Sequence, residues 1–482
     1  MFTGRQYYLE SLEALWRKRT ASLVVVSGRR RIGKSALVEQ FAARSKCRFI
    51  EIEGLAPEGR GEKGRQLRNF ATRLAKATGG VTARAETWAE AFDALDAAVR
   101  AEGGGRTVVF LDEISWMGEG DADFPALLKN AWDTQLSRHG RLILVLAGSV
   151  SAWIRENILN SKAFVGRVSL DITLGELPLA NCRDFWGRAA DRVSAWEMLD
   201  VLSVTGGVPK YLEEVDPGLG ADENIRRLCF RPEGYLFRDF ENLFGDVFGA
   251  AAAKRKILGA LAEGPASVTD LAKRFGVRPN GHFGDDLRDL ELAGFVSGVA
   301  GRNPATGGAM REVKYRLKDN YTRFYLKFVE PKREAIAAGL FRFSSLVRLP
   351  GWDAVMGLQF ENLVLNQLKT LCGLIDFGPR LVTSAAPYWR RKSGSSPGVQ
   401  VDLLLQTPKS MYVVEVKRKA IIGVDIEDEV QRKVERLGAS RDVSVRTVLV
   451  YAGTLAPEVE ENGYFDHLIP AENLFEAREF GV

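Results

Sequence analysis

The chain has 482 residues, of which 46% are hydrophobic and 27% charged, and its net charge is only +5. Those proportions describe a folded chain with several cores, roughly three domains at about 100–200 residues each. No apolar run approaches the ~20 residues that cross a bilayer, and the opening MFTGRQYYLE lacks the apolar core of an export signal. Cys47, Cys182, Cys229 and Cys372 are scattered without a CxxC pair, and His139, His282 and His467 are equally dispersed. This pattern argues against a zinc site or a disulfide frame and suits a reducing cytoplasm.

From the N-terminus to about residue 248, apolar runs alternate with amphipathic stretches, the pattern of an α/β domain around a parallel sheet. Buried strands are expected at Ser22–Val26, Phe49–Ile52, Thr107–Leu111 and Leu142–Ala147, with helices such as Ser35–Ala43 and Trp88–Val99 between them. The first strand runs into GRRRIGKS, Gly28 to Ser35, the GxxxxGK[ST] pattern between a strand and a helix. Gly28 and Gly33 allow the loop of Arg29, Arg30, Arg31 and Ile32 to turn its N–H groups around a phosphate. The following helix N-terminus adds favourable charge. Lys34 would neutralise the β- and γ-phosphates, and Ser35 would present a hydroxyl to Mg²⁺. The run VVFLDEIS then places Asp112 and Glu113 at the end of a strand. Asp112 can hold Mg²⁺ there, and Glu113 can take the proton of an attacking water. Ser149 closes the next strand and reads either as a sensor of the γ-phosphate or as a helix cap.

Together these residues resemble the archaeal-type ATPase family within the AAA+/STAND group of P-loop NTPases. Its N-terminal GR box appears in FTGRQYYLESL as Gly4 and Arg5, and the resemblance puts Arg5 near the base or ribose. Its plyGR element appears as Ala163 to Arg167, with Ala163-Phe164 replacing the usual Pro-Leu. Arg167 there reads as a γ-phosphate sensor, as a finger offered to a neighbouring subunit, or as a structural ion pair. Its GGvPxYL element appears as Gly206 to Leu212, in an expected helical lid.

Residues 249–330 shorten into three helices and a hairpin, an order that resembles a winged helix-turn-helix. Between Ala251 and Glu330 there are 14 Lys and Arg against 9 Asp and Glu. Arg278, Asn280 and Arg288 on the third helix are candidate DNA contacts, although Asp285, Asp286, Asp289 and Glu291 on the same helix oppose phosphate. A packing or protein-contact role stays open beside DNA contact.

Residues 331–482 return to strands. VQVDLLLQ carries Asp402, and MYVVEVKRK carries Glu415 and Lys417, which share a strand face because they are two apart. Two carboxylates and an amine can thus converge, the carboxylates holding Mg²⁺ or Mn²⁺ and Lys417 helping to position or deprotonate water. The helix FENLVLNQL offers Glu361 as a further carboxylate, and the later helix Asp425–Arg436 brings Gln431 and Lys433. This set is similar to the PD-(D/E)xK fold of restriction-endonuclease-like nucleases, with Val401 where the named proline would stand. The ATPase family often carries such a domain, preceded by a motif like YRLKDNYTRFYLKFVEP, Tyr315 to Pro331.

The expectation is therefore an α/β multidomain protein: a P-loop NTPase parallel sheet with a helical lid (1–248), a winged helix (249–330) and a restriction-endonuclease-like α/β domain (331–482). It would be cytoplasmic, would use ATP to control DNA cleavage, and could assemble with itself through the ATPase domain. The rivals are a non-nucleolytic switch that binds DNA or a protein partner, and a ring-forming motor.

Overall fold

The structure, a computed structural model, describes residues 2–56, 62–80, 84–101, 105–149, 152–248, 252–277, 281–304, 306–343, 345–377, 382–392 and 397–477. It divides into two compact units, Phe2–Gly175 and Glu176–Val482.

The first unit is built on five parallel strands: β1 (Ser22–Gly28), β2 (Arg48–Glu53), β3 (Thr107–Asp112), β4 (Leu142–Ser149) and β5 (Val168–Leu174). Their spatial order is β2-β3-β4-β1-β5. Strands β1, β3 and β4 are almost wholly buried, as continuous Val/Ile/Leu runs must be when helices cover both sheet faces. Alternation along β1 decides the two sides. Leu23 and Val25 join a core with Phe70, Trp88, Phe92 and Phe124, whereas Val24 and Val26 pack with Leu12, Val38 and Phe41. Each such fully buried side chain contributes on the order of 1.5–3 kcal/mol. The four strands expected from sequence are found, each one or two residues longer than its apolar run. Strand β5 was not anticipated. Its VSLDITL alternates exposed and covered positions at the sheet edge, a weaker apolar signal than that of its neighbours.

The second unit begins with helices. Pro209–Leu212 carries the GGVPKYL element; Gly206 there takes φ 57°, and the Gly207 N–H donates to Glu176 at 3.2 Å. Tyr211 is fully buried and donates to Asp239 at 2.8 Å. The segment after residue 249 folds as helix Ala252–Ala262, the short β6 (Ala266–Ser267), helices Val268–Phe275 and Gly281–Leu292, then β7 (Val296–Arg302) and β8 (Ala309–Leu317). The three strands form an antiparallel sheet in the order β6-β8-β7. Ser267 and Asp270 make a reciprocal capping box at the start of the middle helix, satisfying orphan N–H groups at both positions. Arg278 and Asn280 lie outside the described residues. Arg288 is exposed. Two of the opposing acids are engaged by Lys254, which lies 2.6 Å from Asp289 and 3.7 Å from Asp286.

The last sheet is mixed, in the order β13-β12-β11-β10-β9. Its strands are β9 (Ser384–Arg390), β10 (Val399–Gln406), β11 (Ser410–Ile422), β12 (Ser444–Leu455) and β13 (His467–Pro470). The pairs β9–β10 and β10–β11 are antiparallel, and β11–β12 and β12–β13 are parallel. Helix Trp352–Asn366 is joined to the segment after β8 by buried polar groups. Gln359 accepts from Arg323 at 2.8 Å and donates to the Asn320 carbonyl at 2.7 Å, while Asn362 donates to the Asn320 side chain at 2.6 Å. Much of the YRLKDNYTRFY motif is thus an internal polar network, within which Arg323 Nε and the Tyr325 hydroxyl stay buried without a hydrogen-bond partner.

Candidate functional site

All the phosphate-loop elements lie at the carboxyl ends of parallel strands, where open α/β sheets bind ligands. Gly28 ends β1 with φ +155°, and a Cβ there would stand 2.8 Å from the Leu174 carbonyl oxygen. Gly33 caps the next helix, Lys34–Ser45, with φ 91°. Arg31 sits between them at φ 69°, a left-handed conformation that costs a side chain of this type about 1–3 kcal/mol and that functional loops retain. Ile32 is buried and pins the loop to the core below. Arg29 is buried too, and the Arg30 guanidinium lies 4.8 Å from the Trp116 ring centroid.

Lys34 folds back over this loop. Its Nζ donates to the carbonyls of Gly28 at 3.2 Å and Arg29 at 3.3 Å, and burial lowers its pKa against the opposing pull of Glu113 and Asp112. An ammonium held among carbonyls and short of a full counter-charge suits a polyanion. The Ser35 hydroxyl donates to Asp112 Oδ2 at 2.6 Å, so one hydroxyl and one carboxylate meet where Mg²⁺ would take hard oxygen donors. Glu113 follows at φ 47°, another left-handed residue, with its N–H on Asp112 Oδ1 at 2.9 Å. Burial raises the Glu113 pKa, opposed chiefly by Lys34, and the Ser149 N–H donates to its Oε2 at 3.3 Å. Ser149 therefore meets the site through its backbone.

Arg5 and Arg167 stand differently. Arg5, itself left-handed at φ 61°, donates to the Gly175 carbonyl at 2.5 Å and to the Ile32 carbonyl at 3.5 Å, which ties the N-terminal segment to the loop. Arg167 makes a two-pronged ion pair with Asp133 at 2.6 and 2.8 Å, and that guanidinium holds the Asp133 carboxyl down to about 2. Of the readings open for Arg167, the structural ion pair is the one formed in this conformation.

A family described as an ATPase domain predominantly from Archaea matches residues 2–215. The chain carries an ATPase domain of this family. Over most of its length it is similar to an uncharacterised protein of Methanocaldococcus jannaschii, 22% identical over 444 residues and 90% of each chain. An uncharacterised ATP-binding protein of the same organism is 40% identical over 52 residues, 11% of this chain and 88% of that one. Among solved structures, a Walker-type ATPase of Pyrococcus abyssi shares the fold at TM-score 0.50 and 16% identity, covering 68% of this chain and 96% of that one. The archaeal-type ATPase domain thus has a parallel sheet with its phosphate loop, its acidic pair and Ser149 all at the carboxyl ends of its inner strands.

A second cluster forms in the C-terminal sheet. Asp402 on β10 lies one residue beyond the Leu403–Val414 pair, which brings it beside Glu415 on β11. The pairing of β10 with β9 shifts between Val401 and Leu404, an irregularity of the kind that re-aims side chains at sites. Asp402 Oδ2 accepts the Val416 N–H at 2.9 Å. Burial, reinforced by Glu361, pushes Asp402 up to about 6; burial, reinforced by Asp402, pushes Glu415 up to about 7. Lys417 lies 2.9 Å from Glu415 and 3.0 Å from Glu429. Lys433 contacts both Glu415 oxygens at 2.7 and 2.6 Å. Gln431 instead bonds Glu435 and Tyr464, away from this group.

Beyond burial, Glu361 raises the Asp402 carboxyl and is itself raised by Glu415, so the three expected carboxylates act on one another. Among the described residues no three Asp, Glu, His or Cys side chains converge closely enough to hold a metal ion. Glu361 is raised by burial and acted on by buried Arg323 and Arg316, whose own pKa values burial pulls down to about 10. Asp402 and Glu415 stand on adjacent strands, and one or two carboxylates are the usual protein share of a Mg²⁺ site. Lys433 was read from sequence only as a helix residue; Arg316, Arg323 and Glu429 carried no signal beyond the motif and a helix pair with Lys433.

Proposed function

We propose that the protein hydrolyses MgATP at Gly28–Ser35 and uses it to control a C-terminal domain that acts on DNA. The observation that carries the ATP half is the joining of Lys34, Ser35, Asp112 and Glu113 at the carboxyl ends of β1 and β3. Lys34 neutralises the β- and γ-phosphates, Ser35 and Asp112 would hold Mg²⁺, and Glu113 takes the proton of the attacking water. The ion, when bound, neutralises charge on the transferring phosphoryl group. Residues 249–330 act as a winged helix between the lid and the last domain, and nucleotide-dependent self-assembly proceeds through the ATPase domain.

For residues 331–482 the reading is a PD-(D/E)xK nuclease of the cytoplasm. Asp402 and Glu415 present hard oxygen donors, and Lys417, whose charged form Glu415 and Glu429 favour against its burial, orients water. A divalent ion there would stabilise charge developing on phosphorus. A second reading, a non-nucleolytic switch that binds DNA or a protein partner, is favoured by one observation. Lys433 already occupies both oxygens of Glu415.

Purified protein is expected to cut circular single-stranded or supercoiled DNA with Mg²⁺ or Mn²⁺, ATP changing the rate. Lys417→Ala and Asp402→Ala should each lower cleavage by about 100-fold or more. Cleavage by Asp402→Ala at the wild-type rate would remove the site assignment, and no cleavage under any metal or nucleotide condition would select the switch.

A further inference from the structure

Beside the acid–amine cluster, within the second unit, lies a cavity of about 370 Å³ that the mechanism above does not use. Five of its lining residues are cationic: Lys314 from β8, Arg390 and Arg391 at the end of β9, and Lys433 and Arg436 from helix Asp425–Leu437. The sixth that matters is Trp389, half-buried on β9, with the Lys314 Nζ 5.1 Å from its ring centroid. No acid lines the cavity among the described residues. Arg391 is engaged by Asp270, and Lys433 by Glu415 and Glu429. Arg390 and Arg436 are oriented by main-chain carbonyls instead: Arg390 donates to the Arg436 carbonyl, and Arg436 to the Gly398 carbonyl at 3.3 Å. Their positive charge is therefore placed without being cancelled by a carboxylate, and Arg390 Nε is buried with no hydrogen-bond partner.

An aromatic ring flanked by an ammonium and uncancelled guanidinium groups is the chemistry of a base stacked beside its phosphates. A bare phosphate would have no use for the indole, and an apolar ligand would have none for the arginines. Position strengthens this. Lys433 lines the cavity and also contacts Glu415, so a chain lying in it passes directly to Asp402, Glu415 and Lys417.

We propose that this cavity seats a single-stranded nucleic-acid segment, with a base on Trp389 and phosphates on Lys314, Arg390 and Arg436. The inference rests on the reading that the C-terminal domain acts on nucleic acid. A duplex has its bases stacked inward and cannot offer one to Trp389, which is why a single strand or a frayed end is selected.

The test is fluorescence anisotropy of the full chain with a labelled thymidine oligonucleotide of about 20 nucleotides in EDTA, where binding is read without cleavage. Wild-type protein should bind, and Trp389→Ala should weaken binding by at least about fivefold while Trp389→Phe restores most of it. Arg436→Glu, at an exposed position, should weaken binding and lower the slope of log affinity against log salt by about one or more. Unchanged ATP hydrolysis and melting temperature certify that each variant is folded. Parallel uridine and thymidine oligonucleotides distinguish an RNA from a DNA strand. Wild-type binding that all three variants match would overturn the cavity assignment and leave the nucleic-acid reading standing. Duplex competing as well as single strand would overturn the single-strand claim. Failure of wild-type protein to bind either form would remove the nucleic-acid reading itself.

Discussion

Replacing Glu113 by Gln is expected to lower steady-state ATP hydrolysis by about 100- to 10,000-fold while leaving ATP binding largely intact. Glutamine keeps the size of the side chain and an oxygen that can still accept the Ser149 N–H, a bond of 3.3 Å in the present structure. The backbone N–H of residue 113 still bonds Asp112 Oδ1. What disappears is the capacity to take a proton. Burial raises the Glu113 pKa, and the nearby Lys34 opposes that rise, so the group is tuned towards the range in which a general base works best. Equilibrium binding of a fluorescent ATP analogue beside phosphate release separates the two effects. Lost binding would make Glu113 a nucleotide contact, and retained turnover would make another group the base.

The second large effect concerns stability. Burial, reinforced by Glu361, pushes Asp402 up to about 6, and burial, reinforced by Asp402, pushes Glu415 up to about 7, with Lys433 and Lys417 pulling the other way. A carboxyl whose pKa is higher folded than unfolded binds more protons in the native state. Its ionisation therefore lowers stability as pH rises, from near the unfolded value of about 4 up through the folded value. Asp402→Asn removes one such ionisation and keeps an oxygen to accept the Val416 N–H. In EDTA the variant should match wild type near pH 4 and exceed it at pH 8 by up to on the order of 3 kcal/mol, or several degrees in Tm. Scanning calorimetry at the two pH values reads the difference. A variant less stable at pH 8 would mean that Lys433 and Lys417 more than offset the burial of Asp402. The expected gain is what a functional carboxyl held at a cost would give.

The two sites were legible in the sequence to different depths. The phosphate loop is a contiguous stretch whose residue types are each required by backbone geometry or charge, so Gly28, Gly33, Lys34 and Ser35 could be read directly, and the apolar run before Asp112 supplied its strand. Edge strand β5 was not legible because exposure breaks its apolar run. Arg167 and Asp133 are 34 residues apart, and nothing local announces that they pair. In the last sheet, the period of a strand puts Glu415 and Lys417 on one face. The seating of Lys433 on Glu415 depends instead on how helix Asp425–Leu437 packs against β10 and β11, a tertiary fact. The surroundings of Glu361 were not legible for the same reason. Its helix reaches the cluster, and the buried Arg316 and Arg323 act on it from the YRLKDNYTRFY segment, a meeting that no local pattern announces.

Turnover of ATP through the phosphate loop is best tested by phosphate release from MgATP by wild-type protein and Lys34→Ala side by side. Release by the wild type and a loss of about 100-fold or more in the variant are expected, because Lys34 is the ammonium that the loop carbonyls of Gly28 and Arg29 hold in place for the phosphates. Equal turnover by the two proteins would contradict it.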